Sequence, residues 1–566
     1  MRVKYLSLLF LILFVCCEGI SKGQSTEKSI GATVNSLEQV KPASTNNVHV
    51  IGCSFVIKVK TQNDFDAIND NITKAVVAGK TNIKVKIANG LFRYRENHIL
   101  RKNENYPNVS IIIEGRNHTI ITSDLGIKND FSSIKSNWSE MIYADGAVEI
   151  VDESKKLCKI PYVSQLNFRG QSHFPKIQVT EWFRAPIYDV QRIDDKGIYF
   201  VASDLQIVNI NGRNGYNVNY DYLYRKKTPR FRLYDTDRER KCVAARMICL
   251  EKCHYKQFVL KNIHFVSNKA GGPLITLSEV QAQGVYVNGC TFEHIRGTVI
   301  SASATENIIF YKNTVRNTVG DELRFLNNCT NVRVINNMFE KCGQNISNSF
   351  CVNCREATYY IANNTFCDFG YGAIGVGVWH GFEKKYYSGG IIEHNEIYFS
   401  PEYFANAWKY MLMDSGALYT WTQNDRVIIR YNYIHDYTGA GDNRGIFCDD
   451  GSNNLNIYRN VVLNTPNCYC IDSRVGKDQK EGFTNNANNF MAENVVDGWV
   501  RFQGHADVQR HVVKGTNYVL KQDEGKTAIQ NKFENLEVME EDVEVQRIDE
   551  VQKLKAFKKF KLKVKK

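Results

Sequence analysis

One phrase recurs nine times after residue 255 and constrains the fold more than any other feature of the chain. Alternating apolar residues lead to an Asn, then another residue, then an apolar one. It reads KNIHF at Asn262, VYVNGCTF at Asn288, NIIFYKNTV at Asn313, VRVINNMF at Asn337 and YIANNTF at Asn364. It continues as IIEHNEI at Asn395, VIIRYNYI at Asn432, LNIYRNVV at Asn460 and AENVVDGW at Asn494. The steps between these asparagines are 26, 25, 24, 27, 31, 37, 28 and 34 residues. Period-two alternation makes each phrase a strand. The step is too short for a propeller blade of ~40–45 residues, the leucine framework of leucine-rich repeats is missing, and no 3.6-residue period supports helical repeats. What remains is a solenoid whose coils each add two or three short strands to parallel sheets. An Asn at a fixed turn tolerates left-handed backbone, and its amide can bond to the Asn of the next coil. The expected fold is all-β, a parallel β-helix.

The rest of the chain divides around that solenoid. Arg2 and Lys4 precede the apolar run Tyr5–Cys17, so residues 1–23 read as a secretory signal peptide, too short to span a bilayer. An exported protein (periplasmic, cell-surface or extracellular) with no membrane span is expected. Residues 24–47 read as a linker. Residues 48–126 hold a short amphipathic helix (Asn63–Gly79) suited to capping the solenoid, and the first coils at Asn82–Tyr94 and Asn108–Ile121. The phrase is lost between 127 and 254, a β-rich insertion. Residues 255–525 form the main solenoid and 526–566 a charged tail. Eight lysines after residue 552 supply most of the net charge of +12, and the +4 left on the other 552 residues gives no case for nucleic acid. Of the 16 cysteines two fall in the signal. Cys351-Val-Asn-Cys354 lacks a second pair at finger spacing, so buried free thiols are the expected state.

Each Asn phrase follows another strand, and those strands change character along the chain. PLITLSEV (273–280) and TVISASA (298–304) are bland. GVGVWHGF (375–382), MDSGALYTW (413–421), RGIFCDDG (444–451), YCIDSRVG (469–476) and WVRFQGH (499–505) are crowded with functional groups. Successive coils stack about 4.8 Å apart, so outward residues of neighbouring coils form one surface. Aligning the glycines that close three of these strands puts His380, Asp450 and Gln503 in one column, with Trp421 beside them. The surface then holds the carboxylates Asp414, Asp449 and Asp450 with His380. Trp379, Tyr419, Trp421 and Trp499 offer faces for sugar rings, and Arg444, Arg474, Arg501 and Gln503 orient hydroxyls. Glu322, beside Asp321 in a neighbouring coil, is a further candidate to reach this cleft. Two carboxyl groups across a bond are the minimal apparatus for glycoside hydrolysis. Blander readings stand beside these. Asp449-Asp450-Gly451 also suits a simple turn or a Ca²⁺ loop, His380 a structural histidine, and His435-Asp436 a coil turn.

Within these strands, Asp414–Asn464 resembles a signature of secreted right-handed β-helix proteins of the pectin-lyase-like superfamily, and looks closest to glycoside hydrolase families 141 and 120. Their Asp-Gly-Gly-Ala-Ile-Tyr-Thr strand, Ile-Arg-Tyr-Asn-Tyr-Ile-His-Asp phrase and Gly-Ile-Tyr-Leu-Asp-Asp-Gly strand match Asp414–Thr420, Ile429–Asp436 and Gly445–Gly451. Ser415 and Cys448 depart from the usual Gly and Leu. The resemblance implies fucosidase- or xylosidase-like hydrolysis, with the catalytic pair at Asp414 and Asp449 or Asp450; in family 120 the second carboxylate lies elsewhere, where this chain offers Asp436. The resulting expectation is a secreted glycoside hydrolase acting on a pectic or hemicellulosic polysaccharide or oligosaccharide. Asp414 would serve as nucleophile or base and Asp450 as general acid beside Asp449, with no cofactor required. A polysaccharide lyase using Arg474 and Arg501, and a non-catalytic glycan-binding solenoid, are the alternatives.

Overall fold

The computed structural model describes residues 55–127 and most of 242–504, with separate strands between 142 and 234 and between 512 and 538. The signal segment and linker lie outside the described residues, as does the 526–566 tail apart from Leu536–Val538. Three parallel sheets of 13, 13 and 11 strands build the solenoid. One coil shows the plan: Ile308–Tyr311 in sheet 1, Thr314–Arg316 in sheet 2 and Leu323–Leu326 in sheet 3. Each strand pairs with its counterpart one coil on, through Phe310↔Val334, Val315↔Phe339 and Leu323↔Val352. The chain is a right-handed parallel β-helix.

The asparagines stack as expected, but with two corrections. The ladder runs Asn313, Asn337, Asn364, Asn395, Asn432, Asn460 and Asn494, each Nδ2 donating to the next Oδ1 at 2.9–3.1 Å. Asn262 and Asn288 are not in it; register places Ile263 and Cys290 there, and Asn313 Oδ1 accepts from the Cys290 N–H at 2.8 Å. The left-handed residue is also not the ladder Asn but the one before it: Lys312, Asn336, Asn363, His394, Tyr431, Arg459 and Glu493, with φ between 52° and 58°. The ladder Asn instead satisfies buried backbone. Asn337 Oδ1 accepts from the N–H and Nδ2 of Asn313, while its own Nδ2 donates to Phe310 O and Asn364 Oδ1, so all four bonding sites of the amide are filled.

Beneath sheet 2 the core stacks in the same rhythm. Phe265 lies on Phe292 at 5.0 Å and Phe339 on Phe366 at 4.8 Å. Between those pairs the short Val315 leaves room for Phe310 of sheet 1, which contacts Phe292 and Phe339. The cap is two helices, Gln62–Asp66 and Ile68–Val77, rather than one. Thr61 and Asp64 form a capping box at the start, and Phe65, Ile68, Ile72 and Val76 are buried in the core of the first coils. The helices connect Phe55–Val59 to Asn82–Ile87, with which it pairs in parallel. The insertion contains a seven-stranded antiparallel sheet, yet it leaves the solenoid unbroken. Ile99–Lys102 pairs with Ile248–Glu251, and Asn105–Glu114 with His254–Lys261, across it. Strand Ile248–Glu251 therefore already belongs to the solenoid, ahead of residue 255. Twelve described cysteines are buried, and Cys351 and Cys354 are free thiols. Among the described residues no helix is long and apolar enough to cross a membrane.

Candidate functional site

The crowded strands all belong to sheet 3: Phe350–Arg355, Gly372–Gly377, Gly416–Trp421, Arg444–Asp449, Asn467–Ser473 and Trp499–Gly504. Inward residues such as Val352, Ile374, Leu418 and Ile446 fill the core, so their neighbours line up on the outer face. One register column runs Arg324, Asn353, Gly375, Tyr419, Phe447, Cys470, Arg501. The next runs Arg355, Gly377, Trp421, Asp449. Gln503 pairs with Asp472, and the neighbouring pair Cys448↔Ile471 aligns that position with Asp449. The outward column thus holds Asp449 and Gln503, not Asp450 and Gln503 as the glycine alignment suggested: Trp421 stands opposite Asp449, which fixes the register one residue away.

Trp379, His380, Asp414, Asp450 and Arg474 lie outside the described residues. Trp499, Arg501 and Gln503 are placed by their strand alone, Trp499 opposite Asn467. Of the other candidates, Tyr419, Trp421 and Asp449 come together. The Tyr419 hydroxyl donates to Asp449 Oδ2, and Trp421 is the register partner of Asp449. Ser452 donates its N–H and hydroxyl to the Asp449 carbonyl at 3.1 and 2.8 Å, and Thr420 donates to Ser452 Oγ, tying down the strand end. Arg444 and Glu322 behave differently. Arg444 is fully buried with its guanidinium 4.0 Å from the Phe447 ring. Glu322 is also fully buried, accepting the Gly343 N–H at 3.0 Å, so it does not reach the outer face. Burial pushes its carboxyl well above the usual range, and the nearby Cys342 thiol adds to the effect.

Tyr419 and Trp421 do not stand as open platforms. They are 8% and 4% exposed and pack in one cluster with Phe350, Tyr371 and Phe447. The Phe350 ring stacks on Trp421 at 5.8 Å, and Tyr419 meets Phe447 edge-on at 4.9 Å. Such pairs each add about 0.5–1.5 kcal/mol beyond burial, so the cluster fixes the carboxylate's surroundings. Glycine makes it fit: a Cβ at Gly375 would lie 2.6 Å from the Phe350 ring.

A polar chain of which the sequence pointed only to Asp321 leads into this cluster. Asp321 accepts from the Phe350 N–H at 2.8 Å and from Asn353 Nδ2 at 3.1 Å; Asn353 Oδ1 accepts from Arg355 Nε at 3.2 Å. Arg355 then reaches past Gly377, which has no side chain, to lie 5.3 Å from the Trp421 ring. Burial raises the Asp321 carboxyl despite the Phe350 N–H and the Arg355 charge, and burial lowers Arg355. The sequence signal for Asn353 and Arg355 is the alternation of apolar and polar residues over Val352–Arg355. Chemically, the face offers an oriented carboxylate at a rigid aromatic wall, with the Arg355 cation held three coils from the carboxylate.

No protein-family model matches the chain, and no curated protein matches it. Among solved structures it is similar to a glycoside hydrolase, with a TM-score of 0.40 and 8% identity over 84% of this chain and 98% of that one. It is also similar to a mannuronic acid specific polysaccharide family 6 lyase from human gut microbiota, at TM-score 0.33 and 10% identity over 88% and 93% of the two chains. A third is the Gp54 tailspike of Acinetobacter baumannii bacteriophage AP22, in complex with A. baumannii capsular saccharide, at TM-score 0.16 and 8% identity over 85% and 79%.

Proposed function

We propose that this chain is an exported glycoside hydrolase that cleaves a glycosidic bond of a pectic or hemicellulosic glycan on the outer face of sheet 3. The observation that carries the reading is Asp449: an outward carboxylate, held by the Tyr419 hydroxyl and set opposite Trp421. Hydrolysis needs a second carboxyl group. The family resemblance supplies it at Asp414, two residues before the strand that carries Tyr419 and Trp421. Asp450 serves as the acid in the alternative assignment of the pair, with Asp449 beside it. Tyr419 is a positioning residue, because the phenol fixes which way the carboxylate faces. The reaction as proposed requires no metal ion.

The test is mass spectrometry of products from a panel of pectic and hemicellulosic glycans. Products carrying one added water, lost in Asp414→Asn and Asp449→Asn, support the reading. Unsaturated products lacking that water would mark elimination and overturn it. Binding without any product, undiminished in both variants, would identify a glycan-binding solenoid instead.

A further inference from the structure

The first coils differ from all later ones at the corner between sheets 1 and 2. Lys86, Glu114 and Lys261 are register partners in sheet 1, and Gly90 and Thr119 are partners in sheet 2, at the position Ile263 takes in the third coil. The corner between these partners therefore holds residues 87–89 in the first coil and 115–118 in the second, but residue 262 alone in the third. From there on the corner stays narrow and is filled by side chains: His394 stacks on Tyr431 at 5.0 Å, and Arg459 donates to Tyr431 and to Glu493. Where the wide corners step down to the narrow one, a cavity of about 470 Å³ opens. Gly115 forms part of its lining, and a Cβ there would lie 2.5 Å from the Asn262 carbonyl oxygen, so no side chain can fill that place.

The lining has a consistent chemistry. Lys86, Arg116 and His118 bring three basic side chains, and Asn89, Asn117 and Asn262 bring amides that both donate and accept. Lys86, Arg116, Asn117 and His118 are exposed, and among the described residues the three basic groups make no ion pair. The one carboxylate in the lining, Glu114, is engaged by Lys84 at 2.5 Å and Lys261 at 3.8 Å. Amides match sugar hydroxyls, while unpaired cations match a carboxylate or sulfate. The volume falls in the range of about 300–1,000 Å³ usual for small-ligand sites.

We infer that this corner cavity is a second saccharide site, separate from the sheet 3 face, that takes an anionic sugar such as a uronate or sulfated unit. The inference rests on the polysaccharide reading above only for where such a unit would come from. A glycan held here would be retained at one end of the solenoid while another segment meets the sheet 3 face.

The test is titration calorimetry on the intact protein at low salt with three probes: a four-unit oligouronate, a neutral oligosaccharide of the same length, and inorganic phosphate. The oligouronate should bind at least tenfold more tightly than either other probe. Lys86→Gln with Arg116→Gln, both at exposed positions, should weaken it at least tenfold, about 1.4 kcal/mol. Hydrogen exchange should show protection of residues 86–90 and 114–118 in the complex, and Asp449→Asn should leave both results unchanged. Equal affinity for phosphate would reduce the cavity to a simple anion site and overturn the saccharide assignment. Unchanged oligouronate affinity in the double variant would overturn the site itself. Protection at the corner without cleavage of any glycan would sink the hydrolase reading and leave this one standing; cleavage without protection at the corner would do the reverse.

Discussion

Replacing Asn395 by Ala removes one rung from the middle of the ladder, and the structure says what is left behind. Asn395 Oδ1 accepts from the N–H and the Nδ2 of Asn364, both at 3.0 Å. Its Nδ2 donates to Ile361 O and to Asn432 Oδ1, again at 3.0 Å. The variant deprives two buried donors and one buried carbonyl of these partners, while Asn432 Oδ1 keeps the Asn395 N–H at 3.1 Å. At about 1–3 kcal/mol for each buried group left unmade, and allowing for some relaxation, the expected loss is about 4 kcal/mol. Asn117→Ala, on the exposed surface, should cost no more than about 0.5 kcal/mol. Asn395→Asp sharpens the comparison. It keeps the acceptor for Asn364 but turns an oxygen toward Ile361 O and Asn432 Oδ1, so it fits only when protonated. A carboxyl whose folded pKa is raised in this way stabilises increasingly as pH falls from that value toward the unfolded value of ~3.9, so this variant alone should regain stability on acidification. Urea unfolding gives the differences, and exchange at the Asn364 amide localises them, because a solenoid need not unfold in one step. An Asn395→Ala protein within about 0.5 kcal/mol of the parent, with the Asn364 amide still protected, would refute the reasoning.

Further outcomes follow from the same geometry. Burial alone would raise the Glu293 carboxyl, but hydrogen bonds from His264 and Arg316 and the charges of Arg316 and His294 outweigh it and hold it at about 2. A depressed carboxylate stabilises above its unfolded pKa of ~4.3 and loses that contribution as pH falls toward 2. The stability gap between parent and Glu293→Gln, about 1 kcal/mol after solvent screening of this partly buried cluster, should therefore close in thermal melts as pH falls from ~4.3 toward 2. Gly375→Ala drives a methyl into the Phe350 ring and should cost about 1–3 kcal/mol while shifting near-UV circular dichroism from the Trp421 cluster. If the face is the hydrolytic site proposed above, Tyr419→Phe should lower kcat with little effect on KM, since it removes the hydroxyl that orients the Asp449 carboxylate. Thiol alkylation of the native protein at pH 8 should leave all twelve described cysteines unmodified, because burial removes access and raises thiols such as Cys290, pushed up to about 12.

The solenoid was legible because its periodicity is enforced by chemistry that one residue type can satisfy. A buried turn that exposes an N–H and a carbonyl at every coil calls for an amide, and Asn313 to Asn494 supply it seven times over. Phase was harder to read than period. Asn262 and Asn288 sit one and two residues ahead of the ladder position, because Asn also suits the left-handed turn and the strand end, and the sequence marks all three alike. The same one-residue ambiguity governed the site. Glycines closing three strands looked like a common landmark, but a shared residue type at a strand end does not fix which residues pair. Hydrogen bonding follows the strands, and it sets Asp449 opposite Trp421. On a sheet a shift of one residue turns a side chain to the other face, so the choice between Asp449 and Asp450 is a question of register before it is one of acid strength. Arg355 carries the point further. Its contact with Trp421 spans two coils and exists only because Gly377 between them has no side chain. No spacing rule along the sequence encodes a contact made across a missing side chain, so the polar chain from Asp321 to Trp421 becomes visible only once the coils are stacked.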